Sequence, residues 1–276
     1  MAWHTIPRRC RCSYGSWACL SAHAGPLWLG LLMAVGMALG TGPWGAWADP
    51  PSATSPAAPS PVASVPAAIA PVAPSRPTHY MGRPIAATMH YEGAPWLVRE
   101  SRQREEDCQR LLAELRLRPG QVVCDLGCGN GFYTLELARR VGPAGKVYAV
   151  DIQPEMLEML RQRMAAARLA NIVSILGAEA DPKLPRARFD LVLLVDVYHE
   201  FSHPEAMLAA IRRALRPGGQ VALAEFRAED PNVPIRPEHK MSKAQILREF
   251  NANGFRLVRQ FDGLPWQHLM FFESAE

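Results

Sequence analysis

Cysteine is scarce, long apolar runs are missing, and neither sign of charge is in marked excess. Six cysteines occur in 276 residues, and Cys10, Cys12 and Cys19 fall within the first 48. The other three, Cys108, Cys124 and Cys128, are odd in number and have no metal-ligand spacing with histidine, so neither a disulfide framework nor a zinc site is indicated. Cys124 and Cys128 flank a tight loop that a bridge would distort, and they read as small buried residues. The apolar run from Pro26 to Gly40 is 15 residues, short of the ~20 that a spanning helix needs. Net charge is only +4. Residues 1–48 contain no acid and three arginines (Arg8, Arg9 and Arg11), which leaves 27 basic against 26 acidic residues elsewhere. No basic stripe or aromatic platform marks a nucleic-acid binder. With 49% hydrophobic and 20% charged residues, the chain is neither wholly disordered, nor collagen-like, nor a multi-span membrane protein.

The remaining features divide the chain. A basic start, the apolar run and Ala46-Trp47-Ala48 predict an export signal over 1–48, cleaved before Asp49. An uncleaved anchor is the competing reading. Residues 49–78, rich in Pro, Ala and Ser, predict an extended, disordered linker. A helical lid is expected over 79–119 and the main domain over 120–276. Together these make just under 200 residues, enough for one sizeable core.

Within the folded part, strands alternate with helices. Apolar runs at 121–127, 146–152, 172–176, 190–197 and 220–226 read as strands, and the helical spacing at 132–141, 154–169, 204–215 and 243–253 fills the intervals. A closing strand pair is expected around Gly263-Leu264-Pro265. This alternation predicts an α/β, doubly wound, mostly parallel sheet with ligands beyond the carboxyl ends of its strands.

Chemistry concentrates at Asp125-Leu-Gly-Cys-Gly-Asn-Gly131, which links the first strand to the first helix. Glycines let the backbone turn sharply and approach a ligand closely. Asp151, at the end of the second strand, is placed to accept two hydrogen bonds from a ribose diol. The pair implies a nucleoside cofactor. The spacing Gly127-x-Gly129-x-Gly131 departs from the dinucleotide fingerprint, and Asp125 would repel a pyrophosphate but suit a cationic amine.

These residues, with YAVDI at 148–152, GAEADPKLP at 177–185, FDLVLLVDVYHEF at 189–201 and LRPGGQVALAEF at 215–226, resemble the class I S-adenosylmethionine-dependent methyltransferases. The likeness is to small-molecule enzymes similar to the ubiquinone/menaquinone and arsenite methyltransferases. It implies a Rossmann-like, seven-stranded sheet with an antiparallel last strand, and S-adenosyl-L-methionine as cofactor. It further implies that Asp125 and the backbone of Gly127 and Gly129 hold the methionine portion, Asp151 the ribose, and Ile152 the adenine, with Gly131 also among the cofactor-binding residues. Glu179, where the family often has Asp, and Ala180 would lie by the adenine amine. Asp196 would face the methionine or the acceptor. No metal is implied.

Methyl transfer from a sulfonium needs a base only if the attacking atom must shed a proton. Candidates follow the fourth strand: His199 leads because its ordinary pKa of ~6.5 suits proton transfer, with Tyr198, Asp196 and Glu200 nearby. Glu225, His239 and Lys240 lie near the expected cleft. A small-molecule acceptor is expected, apolar or quinone-like. A non-catalytic S-adenosylmethionine-binding protein is the alternative, and a nicotinamide-dependent oxidoreductase a further one. The export signal predicts a periplasmic location, whereas the cytosolic origin of the cofactor points to the cytoplasm. No feature encodes an oligomeric state.

Overall fold

The computed structural model describes residues 76–275. The export signal expected over 1–48, and all but the last three residues of the linker expected over 49–78, lie outside the described residues. Seven strands build the main sheet: β1 (Val122–Leu126), β2 (Lys146–Asp151), β3 (Ile172–Leu176), β4 (Phe189–Val195), β5 (Leu215–Arg227), β6 (Phe255–Phe261) and β7 (Gln267–Ser274). Their spatial order is 3-2-1-4-5-7-6, and a two-residue strand, Lys240–Met241, pairs beside the end of β5. Strands β1 to β5 pair in parallel, and β7 runs antiparallel to both β5 and β6.

Parallel strands demand cover on both faces, and the sequence supplies it by alternation. In β1, Val123 faces one core while Cys124 and Leu126 face the other. The first core is closed by α2 (Cys108–Glu114), α3 (Phe132–Val141) and α4 (Pro154–Ala167), through Leu111, Leu137 and Leu160. The second is closed by α5 (Pro204–Ala214) and α6 (Lys243–Ala252), through Leu208, Ile211 and Phe250. Cys108, Cys124 and Cys128 are free and buried. Strand order reverses between β1 and β4, which opens the crevice above their carboxyl ends. Among the described residues, no helix is long and apolar enough to cross a membrane.

Two segments differ from the sequence reading. Pro217-Gly218-Gly219 does not simply close α5. Strand β5 begins directly at Leu215, and its register against β4 slips, since Phe189 pairs with Leu215 but Leu191 with Gln220. The Pro-Gly-Gly residues therefore form a bulge, with Gly218 at φ +73°. The segment 79–119 is helical only in part. It opens with a hairpin, His79–Tyr80 against Arg83–Pro84, turned through Met81 and Gly82 at positive φ. A 3₁₀ stretch, Tyr91–Val98, follows, interrupted by Pro95, and then the five-residue α1 (Arg102–Glu106) leads into α2. Proline and glycine at 82, 84, 93 and 95 keep this stretch from forming one long helix.

Candidate functional site

The loop after β1 is held open by glycine at three positive-φ positions, Gly127, Gly129 and Gly131. A Cβ on Gly127 would run into Val197, and one on Gly129 into Leu97 of the lid. Both glycines line a cavity of about 590 Å³. Gly131 does not line it. A Cβ there would strike Leu160 of α4, so this glycine lets α3 start against α4 and corrects its reading as a cofactor contact.

Asp151 stands at the end of β2 on the cavity wall. One carboxylate oxygen accepts from the Gly129 amide at 2.9 Å and the other from the Gln153 amide at 2.9 Å. Each oxygen keeps a second lone pair for a diol. Burial raises its pKa, against the pull of these backbone donors. Ile152 projects beside it, 38% exposed. Glu179 also lines the cavity and accepts from the Ser202 hydroxyl at 3.0 Å. Ala180 is exposed and off the cavity wall, where Ala178 stands instead.

Asp125 departs from its expected place. Its buried carboxylate sits off the cavity wall and accepts from the Thr134 hydroxyl at 2.5 Å. Burial foremost, with the Asp151 charge adding, pushes its pKa up to about 6, while the Thr134 bond pulls the other way. A raised carboxyl pKa contributes stability that is fully present below the unfolded value near 3.9 and is lost as pH rises through about 6. The ionised group therefore costs about 1–3 kcal/mol at pH 7.5. Asp125→Asn, which keeps an acceptor for Thr134, is expected to stabilise the protein by that order at pH 7.5 and by about half as much at pH 5. Urea unfolding at the two pH values checks it, and an equal gap at both would contradict it.

Asp196 stands on the cavity wall that Asp125 does not reach. It follows β4 at φ +51°, a strained conformation for aspartate that aims its side chain at the cavity. One oxygen accepts from Gln267 Nε2 at 2.7 Å, and Oδ1 is buried with no partner. Burial, with Glu106 and Glu225 nearby, holds its pKa well above the usual range. An orphaned carboxylate oxygen in such a wall fits an ammonium group. Arg102 and Glu106 of α1, bonded to each other at 2.8 Å, line the same wall. The glycine cradle, the diol acceptor and this orphan oxygen together fit a nucleoside carrying an amino-acid tail. The lid closes over that end, because the Gln153 side-chain amide donates to the Met89 carbonyl at 2.9 Å and accepts from the Tyr91 amide at 2.8 Å.

At the other end lies His199, 2% exposed. Its Nδ1 is 2.6 Å from Glu225 Oε2, and its Nε2 is 3.0 Å from His239 Nδ1. Glu225 Oε1 accepts the backbone amides of Tyr198 and His199 at 2.9 and 3.3 Å. Burial opposes charging of His199, but Glu225 outweighs it and the pKa is raised. Burial and the His199 charge lower the pKa of His239. Burial pushes Glu200 up to about 7, against the pull of His199. Tyr198 is not on the cavity wall. Its hydroxyl points into the second core and donates to Glu249 at 2.6 Å, which corrects its reading as a base. Sequence reasoning missed Gln153 and Gln267, whose partners lie 62 to 71 residues away, and also Arg102 and Glu106, whose mutual bond is local but whose place on the cavity wall is not. It also missed that His199, Glu200 and His239 converge, each offering a ligand atom within 4.8 Å of the others. Local spacing gave no sign of that convergence.

Comparison with known proteins agrees with this geometry. A family profile described as "Methyltransferase domain" matches residues 117–263. The ubiquinone/menaquinone biosynthesis C-methyltransferase of Cupriavidus metallidurans is 36% identical over 115 residues, 42% of this chain and 47% of that protein. The enzyme of the same description from Burkholderia cenocepacia is 34% identical over 166 residues, 60% of each. The chain thus spans about half the length of the curated relatives it matches. A crystal structure of a SAM-dependent methyltransferase from Aquifex aeolicus superposes with TM-score 0.63 at 26% identity, over 67% of this chain and 98% of that one. With its sheet, its cleft and this profile in common, the chain belongs to the class I S-adenosylmethionine-dependent methyltransferases, with S-adenosyl-L-methionine as cofactor.

Proposed function

We propose that the protein transfers the methyl group of S-adenosylmethionine to a small, largely apolar acceptor that is activated by loss of a hydroxyl proton, in the manner of a quinol or phenol. One observation carries this reading. A single cavity is lined at one end by Gly127, Gly129, Asp151 and Ile152 and at the other by His199, Glu200 and His239. When bound, the cofactor supplies an electrophilic methyl on a positively charged sulfur.

The chain's own residues divide the remaining work. Asp151 takes the ribose hydroxyls, Ile152 and Glu179 flank the base, and Asp196 Oδ1 takes the amino group. Ala180 and Gly131 shape the surroundings without touching the cofactor. Met89, Leu97, Phe201, Phe226 and Ile235 line the cavity and favour an apolar acceptor body. The relatives' description as ubiquinone/menaquinone C-methyltransferases supports the same acceptor class. Alignment of the two reactants and exclusion of water by the pinned lid supply most of the acceleration. His199, oriented by Glu225, stands where the acceptor's proton must leave.

Labelled methyl transfer to a panel of quinols, phenols and catechols tests the assignment, with S-adenosylhomocysteine binding measured by calorimetry. His199→Ala is expected to lower kcat by ~10²–10⁴-fold while cofactor affinity stays within about threefold. A protein that binds neither the cofactor nor its demethylated product, or a His199→Ala variant with unchanged kcat, refutes the reading.

A further inference from the structure

We propose that His199, His239 and Glu200 form a divalent transition-metal site at the acceptor end of the cavity, taking a zinc-class ion on two imidazole nitrogens and one carboxylate oxygen. The donor atoms are already gathered. His199 Nε2 lies 3.0 Å from His239 Nδ1 and 3.9 Å from Glu200 Oε1. Bonds of ~2.0–2.1 Å in tetrahedral geometry place ligand atoms about 3.3 Å apart, between these two separations. The third pair also lies within 4.8 Å, so side-chain rotations, with no change of backbone, would seat the ion.

The surroundings match what a metal-bound histidine requires. A ligating imidazole usually donates its other nitrogen to a carboxylate, which fixes the tautomer and presents a lone pair to the ion. His199 does this through Nδ1 to Glu225 Oε2 at 2.6 Å. Glu225 is itself fully buried, and its other oxygen is held by two backbone amides, so the ring cannot swing away. The three ligands come from separate turns, Tyr198–Glu200 after β4 and Pro237–His239 beyond β5. An ion would tie the second turn to the first and shape the acceptor chamber.

Imidazole with carboxylate, and no thiolate, selects ions of the zinc, cobalt, nickel or iron class over magnesium or calcium. Three protein ligands leave a fourth position open, and all three residues line the cavity. An acceptor hydroxyl bound there would ionise near neutral pH, with its proton released to water, so with the ion bound His199 would act as a ligand and not as the base. This catalytic use rests on the methyltransferase reading. Metal binding does not.

The full chain, stripped with chelator, is titrated with cobalt(II) alone and read by visible absorption. Zinc(II) uptake is measured by equilibrium dialysis. Wild type is expected to take one equivalent with the spectrum of a low-coordinate nitrogen–oxygen site. His239→Ala and Glu200→Gln should each weaken binding tenfold or more, and Glu225→Gln by ~10- to 100-fold. S-adenosylhomocysteine affinity in the same variants, expected within threefold of wild type, reports that the fold is intact. No uptake by wild type, or uptake indifferent to His239→Ala, overturns the metal site and leaves a plain histidine relay. Metal uptake without any cofactor binding would sustain the site and refute the methyltransferase reading.

Discussion

Asp151→Ala is expected to lower affinity for S-adenosylmethionine and its demethylated product at least 100-fold. The carboxylate does two jobs at once. It accepts the Gly129 and Gln153 amides, which sets the glycine loop and the start of α4. It also lines the cavity, where the proposed function seats the ribose diol on its remaining lone pairs. Hydrogen bonds to a charged group are worth about 1.5–3 kcal/mol each, so two lost contacts amount to about 3–6 kcal/mol, or two to four orders of magnitude in affinity. Asp151→Asn should fare little better despite its shape. Its amide NH₂ must face either the Gly129 or the Gln153 N–H, donor against donor, and the loop loses its hold. Calorimetry with S-adenosylhomocysteine measures both variants. Retention of affinity within tenfold in Asp151→Ala would show that the ribose is held elsewhere.

Whatever the chain encodes locally was legible before the structure. Strand β4 is apolar almost throughout because it is covered on both faces, and it was placed within a residue or two. That Gly127, Gly129 and Asp151 share a cavity wall was legible because a tight turn and a strand-end acid meet within one β-α-β unit. What depends on convergence was hidden. Asp125 and Asp196 end adjacent strands, and nothing in either strand says which carboxylate turns beneath the loop and which reaches the cavity. Thr134, one turn into α3, decides the first, and Gln267, 71 residues beyond Asp196, decides the second. Glu225 was visible as an acid near the cleft, but its service to His199 depends on the parallel register of β4 and β5. The hairpin at 79–84 was missed because its value lies in contacts made more than 100 residues away.

Those contacts make Glu249→Ala the substitution expected to cost the most stability, about 3–5 kcal/mol. Glu249 lies on α6 and is fully buried. Its two oxygens accept from Arg83 at 2.7 and 3.1 Å, from the Tyr198 hydroxyl at 2.6 Å and from Gln245 at 2.7 Å. Alanine would strand a buried guanidinium and a buried phenol together, and the penalty for an unpaired charge exceeds what the pair itself contributes. For a domain near 200 residues, the loss corresponds to a drop in Tm of about 10 °C. Function should suffer as well, because Arg83 also donates to the His199 carbonyl at 3.0 Å and thereby braces the turn that carries the imidazole. Glu249→Gln keeps an acceptor and should cost roughly half as much. Removing both partners, in Arg83→Met with Glu249→Leu, eliminates the stranded charge but leaves the Tyr198 hydroxyl without its acceptor and the Pro84 carbonyl without its Arg83 donor, while the His199 carbonyl keeps only the Ala86 amide. Its stability is therefore expected between Glu249→Ala and wild type, not above wild type. Urea unfolding of the four proteins measures the order. A loss below 1 kcal/mol in Glu249→Ala would mean that the hairpin is only laid against α6, and that Glu225 and the Ala86 amide hold the turn bearing His199 without help from Arg83.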